Sequence, residues 1–115
     1  MRSPRSHCPL SGALDLVGDK WTLLILRDLS MGKSRYSEFE ESPERVPSNL
    51  LASRLRMMVE EGLVEKALYS NHSGRFEYRL TPKGRGLLPA MHALARWAIE
   101  HVDGTAPPPG SFWNA

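Results

Sequence analysis

One cysteine and several arginines are the residues of this 115-residue chain whose positions indicate chemistry. Cys8 directly precedes Pro9, and proline favours the first turn of a helix. The positive end of a helix stabilises a thiolate, which reacts readily with oxidants. Cys8 is therefore a candidate redox sensor, and because the chain has no second cysteine, a disulfide could form only between subunits or with a small thiol. The alternative is a small apolar side chain that packs between two subunits.

No pattern in the sequence indicates catalysis or a metal site. The histidines lack the spacing of metal ligands, and no second thiol joins them; they are His7, His72, His92 and His101. The chain contains neither a glycine-rich phosphate loop nor a nucleophile elbow. We therefore expect no metal, no cofactor and no enzyme activity. A peroxide-reducing enzyme built on Cys8 would lack a resolving partner.

The arginines lie in and around a segment with the pattern of an amphipathic helix, residues 48–61. Ser48 after Pro47 predicts its N-cap, and Gly62 predicts its end. At about 100° per residue, one side of this helix is apolar and comprises Leu51, Ala52, Leu55, Met58 and Val59. The opposite side is polar and comprises Asn49, Ser53, Arg56 and Glu60.

The hydrophobic periodicity of the whole chain predicts five helices, and this one is the fourth. We predict helices over residues 9–17, 20–29, 34 or 35 to 42, 48–61 and 82–102, and strands over residues 64–69 and 75–80. Asp19 caps the second helix, residues 70–74 form the hairpin turn, and Thr81 followed by Pro82 begins the last helix. This order, mainly α with one small β-hairpin, is that of a winged helix-turn-helix.

Length and composition indicate one packed domain. Hydrophobic residues make up 41% of the chain, and the net charge of +2 is too small to identify a partner. We expect a flexible arm over residues 1–8, the domain over residues 9–102, and a frayed proline-rich tail over residues 103–115. The longest apolar run has about four residues, far too few to span a membrane. A single cysteine fits a reducing compartment, which predicts a cytoplasmic protein.

In a winged helix-turn-helix, the polar side of the fourth helix enters the major groove of double-stranded DNA. Asn49, Ser53 and Arg56 would contact bases or phosphates. Phosphates would also be contacted by Arg45, Arg54 and Arg75. The predicted DNA-binding residues are Arg45, Ser48, Asn49, Ser53, Arg54, Arg56, His72 and Arg75, with Lys33 and Arg79 as lesser candidates.

Each of these features has a plainer interpretation, because a polar helix side is usually just solvated and a hairpin loop is usually just a turn. Their joint order favours DNA binding. The rival hypothesis is a winged helix that binds another protein and no DNA. Leu50 and Met57 lie close to the arginines of the fourth helix and keep this rival open.

The sequence resembles the HxlR-type transcriptional regulators over residues 8–102. The resemblance lies in the runs CPL (8–10), GDKWTLLILRDL (18–29), RYSEF (35–39), LASRL (51–55), EEGLV (60–64) and YRLTPKG (78–84). It implies a dimeric bacterial or archaeal winged-helix repressor or activator related to the MarR group. It also implies that a cysteine at the position of Cys8 senses oxidants or electrophiles in some members. The entry to the fourth helix, Pro47-Ser48-Asn49, varies among such proteins, so base preference does not transfer.

The last predicted helix has an apolar arc of roughly 200°, wider than one core requires. An isolated chain would leave Trp97 or Ile99 in water, which predicts a two-fold dimer through the N- and C-terminal helices. The predicted interface residues are Leu10, Leu14, Leu88, Ala95, Trp97 and Ile99. The alternative is that these residues face the chain's own sheet and helices. Two-fold symmetry predicts a pseudo-palindromic operator with recognition helices about 34–36 Å apart. An oxidant or a small molecule would be the effector.

Overall fold

A computed structural model describes residues 3–68 and 75–114 of the chain. In these ranges the elements are α1 (Pro9–Val17), α2 (Thr22–Ser30), α3 (Tyr36–Glu40), α4 (Ser48–Glu60), β1 (Val64–Leu68), β2 (Phe76–Leu80), α5 (Pro82–Arg85), α6 (Leu88–His101) and α7 (Gly110–Trp113). The predicted order of four helices followed by a hairpin is confirmed. Among these helices, none is both long enough and apolar enough to cross a lipid bilayer.

The inner side of α4 forms the centre of the core. Leu51, Leu55 and Met58 are buried there together with Phe39 of α3. Burying one such side chain stabilises a fold by about 1.5–3 kcal/mol relative to leaving it in water. The rest of the core comprises Ile25, Leu26, Leu29, Leu63, Val64, Leu80, Leu88, Met91 and Phe112. The predicted apolar side of α4 is therefore confirmed at three of its five residues, while Ala52 is half-buried and Val59 is exposed.

The start of α2 confirms the role predicted for Asp19. Its carboxylate accepts hydrogen bonds from the backbone N–H groups of Trp21 (3.0 Å) and Thr22 (3.1 Å). These are two of the donors that a helix leaves without partners in its first turn. The regular helix begins at Thr22, two residues later than predicted, because Asp19 receives the amides from outside the helix.

The start of α4 differs from the prediction by one residue. Pro47, not Ser48, is the N-cap, and its carbonyl accepts from the N–H groups of Leu50 (3.0 Å) and Leu51 (2.9 Å). The fixed φ of proline, here −58°, lets Ser48 take the first helical position. Gly62 ends the helix as predicted, with a φ of +75° that favours glycine.

The hairpin is antiparallel, with Val64 opposite Leu80 and Leu68 opposite Phe76. The first predicted strand is confirmed up to Leu68, since Tyr69 and the turn at residues 70–74 lie outside the described residues. The second begins at Phe76, one residue later than predicted, because Arg75 lies outside the paired register. The hairpin is attached to the helices through β2, because the Tyr78 N–H donates to the carbonyl of Ser34 (2.7 Å), just before α3.

The single long helix predicted for residues 82–102 is wrong, because two helices occupy this segment. Thr81 caps α5 as predicted, and its hydroxyl accepts from the Gly84 N–H (3.1 Å). The helix is then interrupted before α6. The reason is that Pro89 has no N–H and that its ring would clash with the carbonyl of Arg85 in a continuous helix. Pro89 lies instead in the first turn of α6, where proline is tolerated.

The expectation of a frayed tail is wrong for residues 110–113. Phe112 is buried in the core, and its carbonyl accepts a hydrogen bond from Nε2 of His92 (2.8 Å). The His92 ring also contacts Phe112 and Trp113, with centroid distances of 5.2 and 5.6 Å. The preceding prolines prevent this segment from forming a longer helix. Burial of Phe112 and partial burial of Trp113 nevertheless hold it against the domain. At the other end, the flexibility of residues 1–8 stays a prediction.

Candidate nucleic-acid interface

A turn at residues 41–47 joins α3 to α4. Two side chains of α3 fix the starts of these two helices. The Glu38 carboxylate accepts from the N–H groups of Ser34 and Arg35 (2.9 Å each), and these bonds lower the pKa of Glu38. At the other end, the Tyr36 hydroxyl donates to the carbonyl of Ser48 (3.1 Å), the first residue of α4. The start of α4 therefore has a fixed position relative to α3.

The outer side of α4 carries the residues predicted to read bases. Asn49 and Arg56 are exposed there, as is Glu60 one turn further on, and Ser53 between them is half-buried. Their spacings of four, three and four residues place them along one side of a helix of 3.6 residues per turn. Ser48 is exposed at the beginning of the same helix. The structure therefore brings together Ser48, Asn49, Ser53 and Arg56.

Arg54 is tied to another helix. Its Nε donates to the Asp19 carboxylate (3.0 Å), and its Nη1 lies 3.4 Å from the Ser53 hydroxyl. Burial would raise the pKa of Asp19, but hydrogen bonds from Thr22, Trp21 and Arg54 outweigh burial and lower it. The stabilisation that these bonds give is therefore present at neutral pH and is lost only as the pH falls through this lowered pKa.

Arg45 lies in the turn before α4 and has an unusual backbone. Its φ is +55°, the left-handed region that glycine adopts more easily than any other residue. Its N–H donates to the carbonyl of Ser42 (3.0 Å), and its side chain is exposed. The turn thus presents an arginine at a position where that residue type costs conformational energy.

A polar cluster missed by the sequence analysis holds the same turn to α2. Arg27 donates to both carboxylate oxygens of Glu44 (2.8 Å each) and, through Nε (3.1 Å) and Nη2 (2.9 Å), to Asp28. Asp28 also accepts from the buried Ser42 hydroxyl. Glu44 raises the pKa of Arg27, and Arg27 lowers the pKa of Glu44. The one signal for this cluster in the sequence is an Arg-Asp pair inside an otherwise apolar run.

The remaining predicted cations lie on or near the hairpin. Arg75 is exposed next to β2, and Arg79 lies 3.7 Å from Glu65 on the opposite strand. Lys33 lies between α2 and α3, close enough to Glu38 and Glu44 to lower the pKa of each. His72 lies outside the described residues.

A second feature missed from the sequence is a groove of about 210 Å³ between α3, α4 and the hairpin. Tyr36, Arg56, Lys66 and Tyr78 line it. The ammonium group of Lys66 also lies 4.2 Å from the centre of the Phe76 ring. Lys66 points to this groove from the middle of β1, which an alternating strand pattern could have revealed.

The helices α1 and α6 expose apolar side chains, as predicted. Within the described chain no residue of α1 is buried, and Leu10 has 66% of its surface exposed. On α6, Leu94 is 56% and Trp97 is 59% exposed. The expectation for Leu88 is wrong, because this residue is only 4% exposed and belongs to the core of the single chain. It lies in the first turn of α6 and belongs to the buried core cluster. The remaining predicted residues, Leu14, Ala95 and Ile99, are exposed or half-buried.

Cys8 occupies the N-cap of α1, directly before Pro9, as the sequence predicts. Its thiol is free and exposed. Its N–H donates to the Ser6 hydroxyl (3.2 Å), and its carbonyl accepts from the N–H of Gly12 (3.1 Å). A reagent in solvent therefore has access to the sulfur at the positive end of the helix.

Two helices joined by a turn, followed by an antiparallel hairpin attached to the first of them, define a winged helix-turn-helix. Residues 16–106 match the protein family described as HxlR-like helix-turn-helix. The chain belongs to this family, and its relatives are transcriptional regulators.

Among curated proteins, the chain is similar to an uncharacterized HTH-type transcriptional regulator, Rv3095, of Mycobacterium tuberculosis. The two are 43% identical over 97 residues, which cover 84% of this chain and 61% of that protein. The chain thus spans about three fifths of that relative's length. Among solved structures, it is similar to the candidate transcription factor PA1607, with a TM-score of 0.77 and 34% identity over 91% of this chain and 82% of the other. It is also similar to the redox regulator HypR in its oxidized form, with a TM-score of 0.76 and 29% identity over 84% and 99% of the two chains.

Proposed function

We propose that this chain regulates transcription by binding double-stranded DNA, with α4 as the recognition helix in the major groove. The observation that carries the proposal is the division of α4 into two sides. Leu51, Leu55 and Met58 are buried, whereas Asn49 and Arg56 are exposed on the opposite side. These two side chains are the types that make paired hydrogen bonds to adenine and guanine in the major groove.

Phosphate contacts come from residues on both sides of this helix. Arg45 keeps a left-handed backbone that costs energy, which favours a use for its exposed side chain. The N–H groups at the very start of α4, beginning at Ser48, would bind a phosphate oxygen, because helix N-termini favour anions. Arg75 supplies a cation beside the hairpin. His72, which lies outside the described residues, completes the proposed set.

Replacing Arg56 with alanine should reduce base discrimination, by about 1–3 kcal/mol for a lost paired contact. Replacing Arg75 with alanine should weaken binding to all duplexes alike and lower the slope of log affinity against log salt by about one. The measurement is fluorescence anisotropy with a duplex from the chain's own upstream region and with a scrambled duplex. Each is titrated at two salt concentrations.

A matched control is Arg85→Ala, which removes an exposed arginine from α5 rather than from α4 or the hairpin. This variant should keep both the discrimination and the salt slope of the wild type. Equal losses on every duplex for Arg56→Ala and Arg75→Ala would refute the division of roles. A wild-type chain that binds no duplex in a salt-dependent way would refute DNA binding and favour the protein-interaction rival.

The structure of α4 weakens that rival. On the rival hypothesis the outer side of α4 would be apolar or acidic, as for an amphipathic helix that binds a partner's groove. Here Leu50 and Met57 are both half-buried, and Met57 packs against the core, so each exposes only part of its apolar surface near Arg56. The exposed outer side is mainly polar, which suits DNA better than an apolar partner.

We also propose that the chain acts as a homodimer on a pseudo-palindromic operator. The exposed apolar residues of α1 and α6 supply the self-complementary surface that a two-fold dimer needs. Two recognition helices would then lie about 34–36 Å apart, one turn of the duplex. We further propose that the dimer acts in the cytoplasm and that it is not an enzyme.

Oxidation of Cys8 is proposed as the signal that controls DNA binding. The exposed thiol at the start of α1 supports this, as does the similarity to a redox regulator. Two Cys8 thiols of two subunits would give up two protons and two electrons to an oxidant and form one disulfide. Because α1 is part of the proposed dimer surface, such a bond would change how the subunits meet.

Diamide should change the DNA affinity of the wild type but not that of Cys8→Ser, since only the thiol reacts with this oxidant. The measurement is a titration of the upstream duplex before and after treatment, followed by reduction. Reduction should restore the original affinity of the wild type. An equal response of Cys8→Ser to diamide would contradict the proposal.

A further inference from the structure

Asp19 lies between α1 and α2, where hydrogen bonds of its neighbour Gly18 and of its own carboxylate fix its position. It follows Gly18, whose N–H donates to the carbonyl of Leu14 at the end of α1 (2.8 Å). A Cβ atom on Gly18 would lie 2.4 Å from that carbonyl oxygen, so only glycine fits there. On its other side, the Asp19 carboxylate caps α2 through the amides of Trp21 and Thr22.

The same carboxylate reaches the middle of α4. Its Oδ2 accepts from Nε of Arg54 (3.0 Å), and its Oδ1 accepts from the hydroxyl of the buried Thr22 (2.6 Å). Hydrogen bonds to a charged group are stronger than those between neutral groups, and this one is only partly exposed to water. Arg54 also lies one residue from Ser53 on the outer side of α4. The ion pair between Asp19 and Arg54 therefore holds α4 near its middle.

We propose that Asp19 is a positioning residue for the recognition helix: through Arg54 it sets the orientation in which α4 meets a duplex. This inference rests on the proposed function. It assigns Arg54 a role inside the protein instead of the phosphate contact expected from its sequence position. The Asp19 carboxylate already pairs with Nε of this guanidinium at 3.0 Å, which weakens the attraction of Arg54 for a phosphate.

The test uses Asp19→Asn, which keeps the shape and an acceptor oxygen but removes the charge that holds Arg54. The ratio of affinities for the upstream duplex and a scrambled duplex should fall about tenfold. Arg54→Met, which keeps a long stem without the guanidinium, should lower the ratio by a similar factor. The double variant should fall no further than either single variant, because both remove one interaction.

Thr22→Val is the matched control for a loss of stability alone. It removes the hydroxyl that donates to Asp19 and leaves the link to Arg54 in place. Its ratio of affinities should equal that of the wild type even if the protein unfolds more easily. A Thr22→Val ratio as low as that of Asp19→Asn would overturn a positioning role.

Direct phosphate binding by Arg54 gives the opposite pattern. Arg54→Met would then lower the salt slope by about one, and Asp19→Asn, which frees the guanidinium, would strengthen binding to every duplex. That pattern would overturn the inference while leaving DNA binding intact.

Hydrogen exchange of backbone amides without DNA separates this inference from the proposed function. In Asp19→Asn, amides of α4 should exchange faster than in the wild type, and amides of α6 should not. Unchanged exchange in α4 would overturn the inference whether or not the wild type binds DNA. A wild type without salt-dependent DNA binding would instead refute the function.

Discussion

Replacement of Asp28 by alanine should lower the free energy of unfolding by about 3–5 kcal/mol. Only 6% of Asp28 is exposed, and its carboxylate accepts hydrogen bonds from Arg27 and from the Ser42 hydroxyl. Removing it leaves a buried hydroxyl without a partner and takes one of two carboxylates from a partly buried guanidinium. Urea unfolding followed by circular dichroism measures the change, provided that the slope of free energy against urea is the same in both proteins.

The control for this prediction is Asp103→Ala, which removes an exposed aspartate after α6. Its effect should stay within about 0.5 kcal/mol, as for most surface changes. Ser42→Ala should fall between the two, since it removes one hydrogen bond and leaves the carboxylate paired with Arg27. An Asp28→Ala protein as stable as Asp103→Ala would show that the cluster does not hold the turn before α4.

The two sides of α4 could be predicted because they depend on local spacing. Apolar residues at helical intervals must turn towards one core, which is why Leu51, Leu55 and Met58 are buried as expected. The Thr81 cap was equally predictable, since its partner lies only three residues away. Periodicity and caps are short-range properties that the sequence displays directly.

The polar network behind α4 could not be predicted in this way. Arg27 and Glu44 are 17 residues apart, and Asp19 and Arg54 are 35 apart. Nothing in local spacing selects these partners among the chain's other charges, because the tertiary fold decides which of them meet. For the same reason Arg54 looked like an exposed cation on a helix flank.

The break between α5 and α6 differs from these cases, because its signal was present in the sequence. Pro89 lies where a continuous helix could not accommodate it. The helical spacing of apolar residues continues on both sides of Pro89 and, taken alone, favours one unbroken helix. The docking of Phe112 was harder to see, because a run of prolines precedes it and no helical pattern is long enough to register.

Replacing Trp97 with glutamate should convert the proposed dimer to monomers and weaken binding to the upstream duplex by about 10²–10⁴-fold. Trp97 and Leu94 expose most of their surface in the single chain, so a charge there would disrupt association without disturbing the core. A monomer would hold one half-site and lose the gain from simultaneous binding to two. Sedimentation equilibrium and anisotropy titration measure the two effects.

Glu100→Gln is the control, because it alters an exposed charge on the same helix without adding one to the apolar surface. It should remain dimeric and bind the duplex as the wild type does. Trp97→Glu should also keep the unfolding free energy of an isolated chain, since the side chain contributes little to the single-chain core. If Trp97→Glu stays dimeric, the subunits must associate through a surface that excludes this part of α6.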